Sequence, residues 1–475
     1  MLSKILHRIK FPSMFRRFEA AGGGRRWANT PTISNVNAAI LASNTTVRDR
    51  ARPNVFNNGW ISNAVNTYVA NMIGTGIVPQ SQHDVEATRA ALQRLFLDWT
   101  DYADLSGLTD FYGLQAQVCR ASYVDGECFV WMRPIGKGRV PLGLTLVSAD
   151  QVDASLTREL TGGGRIVAGI EFDANGARVA YHVFKQAPGE AFATSLETVR
   201  IPAADMLHVF IPETIGQVRG ISRLVSILLR LKEIDGYEDA QLVRQKVSAL
   251  FAGFITDTDG TVAGLDGQKI GGILDTGLEP GVLKVLPQGA DIKFSEPAEV
   301  GDVVQFLQLQ LRAVAAGMGV TYEQLTGDLT GVNYSSIRSG LLEFRRRIEQ
   351  IQHAVIVYQM CRPIWQRFVT LAVLSGAMPA PDFEAKRSTY LSAKWITPGW
   401  PWIDPESDVK ADATAVQAGF KSRSEVIAAR GYNAEDVDSE IASDNARAKK
   451  LDLTFTAPAP NPPAAARKQG VSDAQ

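Results

Sequence analysis

The chain is poor in the residues that carry most metal and redox chemistry. Among 475 residues there are three cysteines, Cys119, Cys128 and Cys361, and five histidines, His7, His83, His182, His208 and His353. The cysteines form no CxxC pair and no even framework, which argues against a disulfide scaffold and fits reduced thiols in a cytosolic setting. No two histidines stand at HExxH or similar spacing, so no metal site is expected, and His208, alone in an apolar strand, reads as structural. Asp257-Thr258-Asp259-Gly260 begins like a calcium loop but lacks the third acid and the closing glutamate, so a solvated turn is the plainer reading.

Other absences narrow the function. No apolar run approaches the ~20 residues of a membrane span, so no membrane partner is expected. There is no GxxxxGK[ST] phosphate loop, no GxGxxG between a strand and a helix, and no GxSxG elbow. Asp101 with Asp104, and Asp125 with Glu127, could be read as acid pairs, but charged turns carry such pairs in most proteins. Neither catalysis nor a cofactor is expected. A surplus of one charge is also missing: 49 Lys and Arg face 50 Asp and Glu, a net charge of −1. Proteins that hold DNA tightly and non-specifically carry a large basic excess, because affinity follows the number of phosphates neutralised. Near-neutrality also weakens the electrostatic brake on self-association.

What the chain has is length and periodicity. With 45% hydrophobic residues, it can build roughly two to four domains with sizeable cores. Residues 1–46 read as a basic N-terminal arm: Lys4, Arg8, Lys10, Arg16, Arg17, Arg25 and Arg26 precede or flank a linker at Gly22–Gly24. Trp60, Ala64, Tyr68 and Met72, at four-residue steps, predict a helix capped by Asn57 or Asn58 and ended by Gly74 and Gly76. Further helices are predicted over about 85–102 and 113–125. From Gly126 to Val209 the period changes to two, predicting a mostly antiparallel β-layer with hairpins at Gly162–Gly164 and at Asn175-Gly176, the latter resembling a type I′ turn.

Helical periodicity returns at Gly220, with Ile221, Leu224, Leu228, Leu231 and Ile234 on one stripe. A Gly- and Asp-rich β insert follows from Thr256 to Ser295. A helix over Val303–Met318 comes next, then a polar link through Gly327, Asp328, Gly331 and Asn333. A long helix begins near Ser339, on which Leu341, Phe344, Ile348, Ile351, Val355 and Tyr358 stand three or four apart. Unbroken to Arg362 it would exceed ~30 Å at ~1.5 Å per residue, with Pro363 set to kink it. Polar helices are predicted from about Pro405 to Lys450, ahead of a Pro/Ala tail with little to bury.

Several stretches, in order, resemble the lambda-type family of tailed-phage portal proteins. The clearest is Gly319–Arg345, with its LTGDL and NYSSIR-GLLEFRR elements. RDRAR-N and GTGI-PQ within Arg48–Gln80, HVF and GQVRGISRL at His208–Leu224, LPQGADIKF at Leu286–Phe294 and WIDPESDVKADA at Trp402–Ala413 also fit. The resemblance implies an α+β portal-type subunit: a wing over 47–219 (helices, then the β-layer), stem helices over 220–255 and 298–319, a β-rich clip over 256–297, a channel loop over 320–338, a long wing helix over 339–378, a crown over 379–450 and a disordered tail over 451–475. It implies a closed ring of about twelve copies at one capsid vertex of a virion assembled in the host cytoplasm. Double-stranded DNA would pass through the axis, and the partners would be the large terminase subunit, a head–tail connector and the major capsid protein or scaffold.

On this resemblance the channel-loop residues are Thr326, Asp328, Thr330, Asn333, Tyr334, Ser335, Ser336 and Arg338. Most are short, polar and uncharged, as suits a collar past which DNA slides without being gripped. Arg345, Arg346 and Arg347 read as partners for Glu343 and Glu349 on neighbouring helices, with phosphate contact as the other reading, and Arg338 is nearest the loop. Two other functions stay open: another oligomeric virion protein of capsid or tail, and a DNA-processing enzyme whose carboxylates converge only in the fold.

Overall fold

The computed structural model describes residues 33–190, 196–249, 253–257, 268–270, 273–275, 290–294, 303–331, 333–400 and 404–453. The arm before residue 33, the tail from 454 and the turn at 258–260 lie outside the described residues.

The first helix, α1 (Val36–Asn57), occupies part of the stretch expected as an arm. Asn35 caps it by accepting from the Ala38 amide. Pro53 lies inside it, at the cost of a backbone donor, while Arg48, Ala51 and Val55 are buried on its inner face. After Asn58, which accepts from the Trp60 and Ile61 amides, α2 (Gly59–Ile73) buries Ala64, Tyr68 and Met72. Strand β1 (Val78–Ser81) and helices α3 (Glu86–Thr100) and α4 (Phe111–Val124) follow. Gln115 on α4 pairs with the chain leaving α2: its Oε1 accepts from Ile77 N and its Nε2 donates to Ile77 O, at 2.8 and 3.0 Å.

The period-two stretch forms two antiparallel sheets. One, in the order β3-β2-β9, contains β2 (Glu127–Arg133), β3 (Gly143–Val147) and β9 (Met206–Phe210). The other runs β4 (Arg158–Glu159), β5 (Arg165–Val167), β6 (Ile170–Phe172), β7 (Arg178–Phe184) and β8 (Thr198–Pro202). Phe129, Val147, Ile170, Tyr181 and Ile201 form a small core of their own. The Asn175-Gly176 hairpin is not type I′, which needs positive φ at both central residues. Gly176 has φ 83°, but Asn175 is not among the positive-φ residues, and the register shifts at Glu171/Phe172. The Asp173 carboxylate, accepting from the amides of Asn175 and Ala177, sets this bulged form instead.

Beyond a short 3₁₀ turn (Arg223–Ser226), α5 (Leu228–Ala249) runs through Gly236 without a break. The β-rich insert appears as β10 (Gly253–Asp257), β11 (Gln268–Ile270), β12 (Ile273–Asp275) and β13 (Ala290–Phe294), with β10 paired to β13 and β11 to β12, both antiparallel. Helix α6 (Val303–Met318) returns beside α5: Tyr237 meets Phe306 at 5.0 Å between ring centroids, and Gly317 packs where a Cβ would lie 2.4 Å from Ile227 Cγ2.

After α7 (Tyr322–Thr326), the longest helical path begins with α8 (Tyr334–Ile351), passes through a π-helical stretch (Gln352–Cys361) and continues as α9 (Arg362–Leu374). Pro363 therefore does not interrupt the helix. The widened coil ahead of it, in which the Arg362 amide donates to Val357 O, absorbs the missing donor. Trp365 and Phe368 on α9 meet Phe96 and Trp99 on α3 at the centre of the main core, with Phe96 and Phe368 edge to face at 5.1 Å. After α10 (Arg387–Leu391), strand β14 (Ala393–Ile396) pairs antiparallel with β1. The chain then forms α11 (Pro405–Gln417), α12 (Arg423–Ala429) and α13 (Ala434–Lys450), none of which has a buried residue.

Candidate functional site

The segment between α6 and α8 is a rigid base carrying a polar tip. Met318, at the end of α6, accepts the Tyr123 hydroxyl at 2.6 Å through its carbonyl, and Gly319 turns the chain with φ 74°. Thr321 then opens α7 with a capping box: its hydroxyl accepts from Gln324 N, and Gln324 Oε1 accepts from Thr321 N. Leu325 is fully buried in the main core. Asn63 on α2 donates to the carbonyls of both Gln324 and Leu325, at 2.8 and 3.0 Å. Gly327, left-handed at φ 72°, closes the helix.

The sequence led to an uninterrupted loop over 320–338, and the structure corrects this at both ends. Thr326 is the last residue of α7 and donates to Tyr322 O. Asn333 caps α8 by accepting from Ser336 N at 2.9 Å, so Tyr334, Ser335, Ser336 and Arg338 lie in the first turns of that helix rather than beyond it. Among the described residues, the irregular part is 327–331 and 333. Within it, Asp328 accepts from the amide and hydroxyl of Thr330, contacts that hold its carboxyl below the usual range. Leu329, Thr330, Asn333, Ser335 and Ser336 are exposed. Arg338 lies 3.8 Å from Asp408 on α11, and Arg345 stands over the Trp400 ring at 5.2 Å. Glu349 accepts from Trp400 Nε1 at 3.0 Å.

A second feature was read from the sequence as a charged turn and a lone structural histidine. Glu127, at the start of β2, is completely buried. It accepts from Arg219 Nε at 2.8 Å, from Gly220 N at 2.8 Å and from His208 Nε2 at 2.9 Å, with Arg48 at 3.5 Å. Arg219 also donates to the carbonyls of Ala168 and Ala149, both at 2.9 Å. Arg48 reaches Asp150 at 3.0 Å, and Arg52 bridges Asp125 and Asp150. Burial alone would raise the Glu127 carboxyl, but the positive partners, Arg219 foremost, hold it far below its ordinary range. Desolvation pushes His208 down to about 4, so it is neutral at pH 7. The site joins α1, both sheets and the chain entering α5. Two glycines close it backbone to backbone: a Cβ on Gly220 would lie 2.1 Å from Gly126 O.

The Asp101/Asp104 and Asp125/Glu127 pairs do not converge into acid–base dyads. Asp104 organises its own turn by accepting from Ser106, Leu108 and Thr109, and Asp125 and Glu127 answer different arginines. Sequence reasoning missed the Glu127 cluster because its members are spread from residue 48 to 219. The one signal was a glutamate ending an apolar-flanked turn at the start of a strand otherwise fully apolar on its inner face.

The model of the family described as phage portal protein, lambda family, matches residues 23–352 of this chain. The chain belongs to that family. Three curated relatives carry portal names. A probable portal protein of Halomonas phage phiHAP-1 is 25% identical over 95% of this chain and 89% of its own length. The portal protein of Escherichia phage N15 is 22% identical over 94% and 92%. Portal protein B of Escherichia phage lambda is 23% identical over 87% and 86%. Among solved structures, a chain from the neck of a native GTA particle computed with C12 symmetry is similar at 16% identity and TM-score 0.45, over 81% of this portal chain and 91% of that one. The portal signature quoted from Gly319 to Arg345 falls on α7, the polar tip and the start of α8, the segment whose geometry is described above.

Proposed function

We propose that this portal protein assembles into a closed ring of about twelve copies at one capsid vertex, and that double-stranded DNA is packaged and ejected through its axis. In this reading α5 and α6 form the stem, the β10–β13 insert is the clip that meets the large terminase subunit, and 327–333 with the first turn of α8 faces the channel. The helices and sheets before Gly220, with the path from α8 to α9, form the wing, and α11–α13 form the crown. The head–tail connector and the major capsid protein or scaffold are the remaining partners. The protein performs no catalysis of its own.

The observation that carries the reading is the outer surface of the α5–α6 pair. Leu229, Leu242, Val304 and Leu309 are exposed on these two helices, and several large apolar groups left in solvent on one helical pair fit surfaces that neighbouring chains cover. A heterologous contact of this kind closes into a ring when repeated by rotation. The tip supports the channel role: beside exposed Leu329 it presents Thr330, Asn333, Ser335 and Ser336, polar and uncharged, and its base is fixed to α2 by Asn63 and Leu325.

Negative-stain images of the purified protein test this directly. Rings with an axial hole wide enough for duplex DNA are expected, and a stable monomer at high concentration would overturn the assignment. Removing 328–332 should leave rings intact while impairing DNA packaging or retention; normal packaging would reduce the tip to a connector. Metal-dependent cleavage of plasmid DNA by the pure protein would favour an enzyme instead.

A further inference from the structure

An open cleft of about 430 Å³ lies between β7 and β9 on one side and the π-helical stretch and α9 on the other. None of the α6–α8 segment lines it. Each wall contributes one cation. From β7, Arg178 lies over the Phe210 ring at 5.5 Å and donates to Val218 O at 3.4 Å. From the start of α9, Arg362 lies over the Tyr358 ring at 5.5 Å. Neither arginine has an ion-pair partner among the described residues, although acids are near in the fold. Glu171 is taken by Arg200, Asp205 by Arg367 and Glu127 by Arg219. The cleft is thus left with two positive charges and no negative one to balance them.

Its remaining lining fits a protein ligand. Tyr358, 61% exposed, is a large aromatic beside Pro363 with Arg362 over its ring. Exposed tyrosine and arginine around a concave, partly apolar floor are the composition of docking hot spots between polypeptides. A nucleic-acid track instead needs cations in a row, spaced to follow successive phosphates. Two arginines on the two walls of one cleft suit a carboxylate taken by charge-assisted hydrogen bonds. Behind the floor, His208 Nε2 donates to Glu127 while its Nδ1 has no partner among the described residues. The cleft therefore backs directly onto the buried cluster that joins the sheets to α5.

We propose that this cleft seats an acidic segment of a second polypeptide, with one carboxylate held between Arg178 and Arg362. The inference does not depend on the channel reading, and the buried cluster behind the floor gives the docked segment a rigid seat.

The test uses the full chain with a fluorescein-labelled hexaglutamate peptide and, separately, a labelled short DNA duplex, followed by fluorescence anisotropy at low salt. The variants are Arg178→Gln, Arg362→Gln, and Arg94→Gln on α3 as a control of equal charge change. Each cleft variant should weaken peptide binding about tenfold, while Arg94→Gln leaves it unchanged. Melting curves establish that the variants remain folded. Equal peptide affinity in all three variants, or no saturable peptide binding to the wild type, overturns the proposal. Duplex binding that is lost with the two cleft arginines while the peptide fails to bind would also overturn it and assign the cleft to phosphate.

Discussion

Arg219 Nε lies 2.8 Å from Glu127 Oε1, and both side chains are entirely withdrawn from solvent. The pair bridges 92 residues of chain and ties the start of β2 to the turn from which the chain leaves for α5. A buried ion pair is not by itself strong evidence of net stabilisation, since desolvation offsets much of its attraction. Its dependence on both partners is nevertheless steep. Replacing Glu127 with Gln leaves the Arg219 guanidinium buried without a counter-charge and should cost about 3–5 kcal/mol. A lower urea midpoint by circular dichroism would register it; an unchanged midpoint would mean that Arg219 is solvated by its two carbonyl partners alone.

Acid should weaken the same joint. His208 titrates at about 4 in the fold and at about 6.5 in the unfolded chain, so the unfolded state binds more protons between these values. Stability from His208 is therefore complete above about pH 6.5 and is lost as pH falls towards 4. Glu127, also depressed, adds to the loss once pH drops below its unfolded value of about 4.3. Both signs agree. Melting temperature measured from pH 7.5 to 4.5 should fall, and His208→Gln should flatten the upper part of that fall.

Backbone contact at the joint leaves no space for side chains. Gly220→Ala places a methyl group 2.1 Å from Gly126 O, and Gly126, at φ 94°, would direct one to within 2.3 Å of Ile221 C. Either substitution should cost at least about 3 kcal/mol, seen as loss of soluble protein or a much lower melting temperature. Gly327→Ala, by contrast, meets nothing within 4 Å and should show only the smaller penalty of a left-handed residue.

The base of the polar tip is a further test. Leu325→Ala should cost about 2–5 kcal/mol, as buried leucine truncations do, whereas Asn333→Ala removes only the cap of α8 and should cost about 1 kcal/mol. Urea titration of the two variants side by side separates anchor from cap.

The three cysteines are all buried, and desolvation raises their thiols, Cys128 to about 12. A thiol reagent at pH 8 should leave them unmodified in the native protein and label all three after unfolding. Rapid labelling of the native chain would show that the joint opens near Cys128.

Much of the helical structure was legible locally. The four-residue steps on α2, the stripe of α6 and the run from Phe344 to Val355 repeat within a few residues, and burial of one face follows from that spacing; Tyr358, next in that series, falls in the π-helical stretch and is exposed. Turn chemistry was less legible. Asn175-Gly176 reads as a type I′ hairpin, yet the Asp173 side chain, two residues earlier, selects a bulged turn. Pro363 reads as a kink, yet a π-helical stretch before it accommodates the missing donor. In both cases a contact just outside the motif decided the geometry.

The sequence by itself determined most of the helices, the β-layer and, through motifs in fixed order, membership in the portal family, but not α1, α7 or the start of α8. Only the tertiary structure decided that Arg48, Glu127, His208 and Arg219 form one buried cluster, and that Arg178 and Arg362 line one cleft without a counter-charge among the described residues. Periodicity is a property of neighbouring residues and can be read from them. Which charges meet depends on sheet register and helix packing across the whole chain, and a one-residue slip in β2 or β9 would have turned Glu127 or His208 to the opposite face.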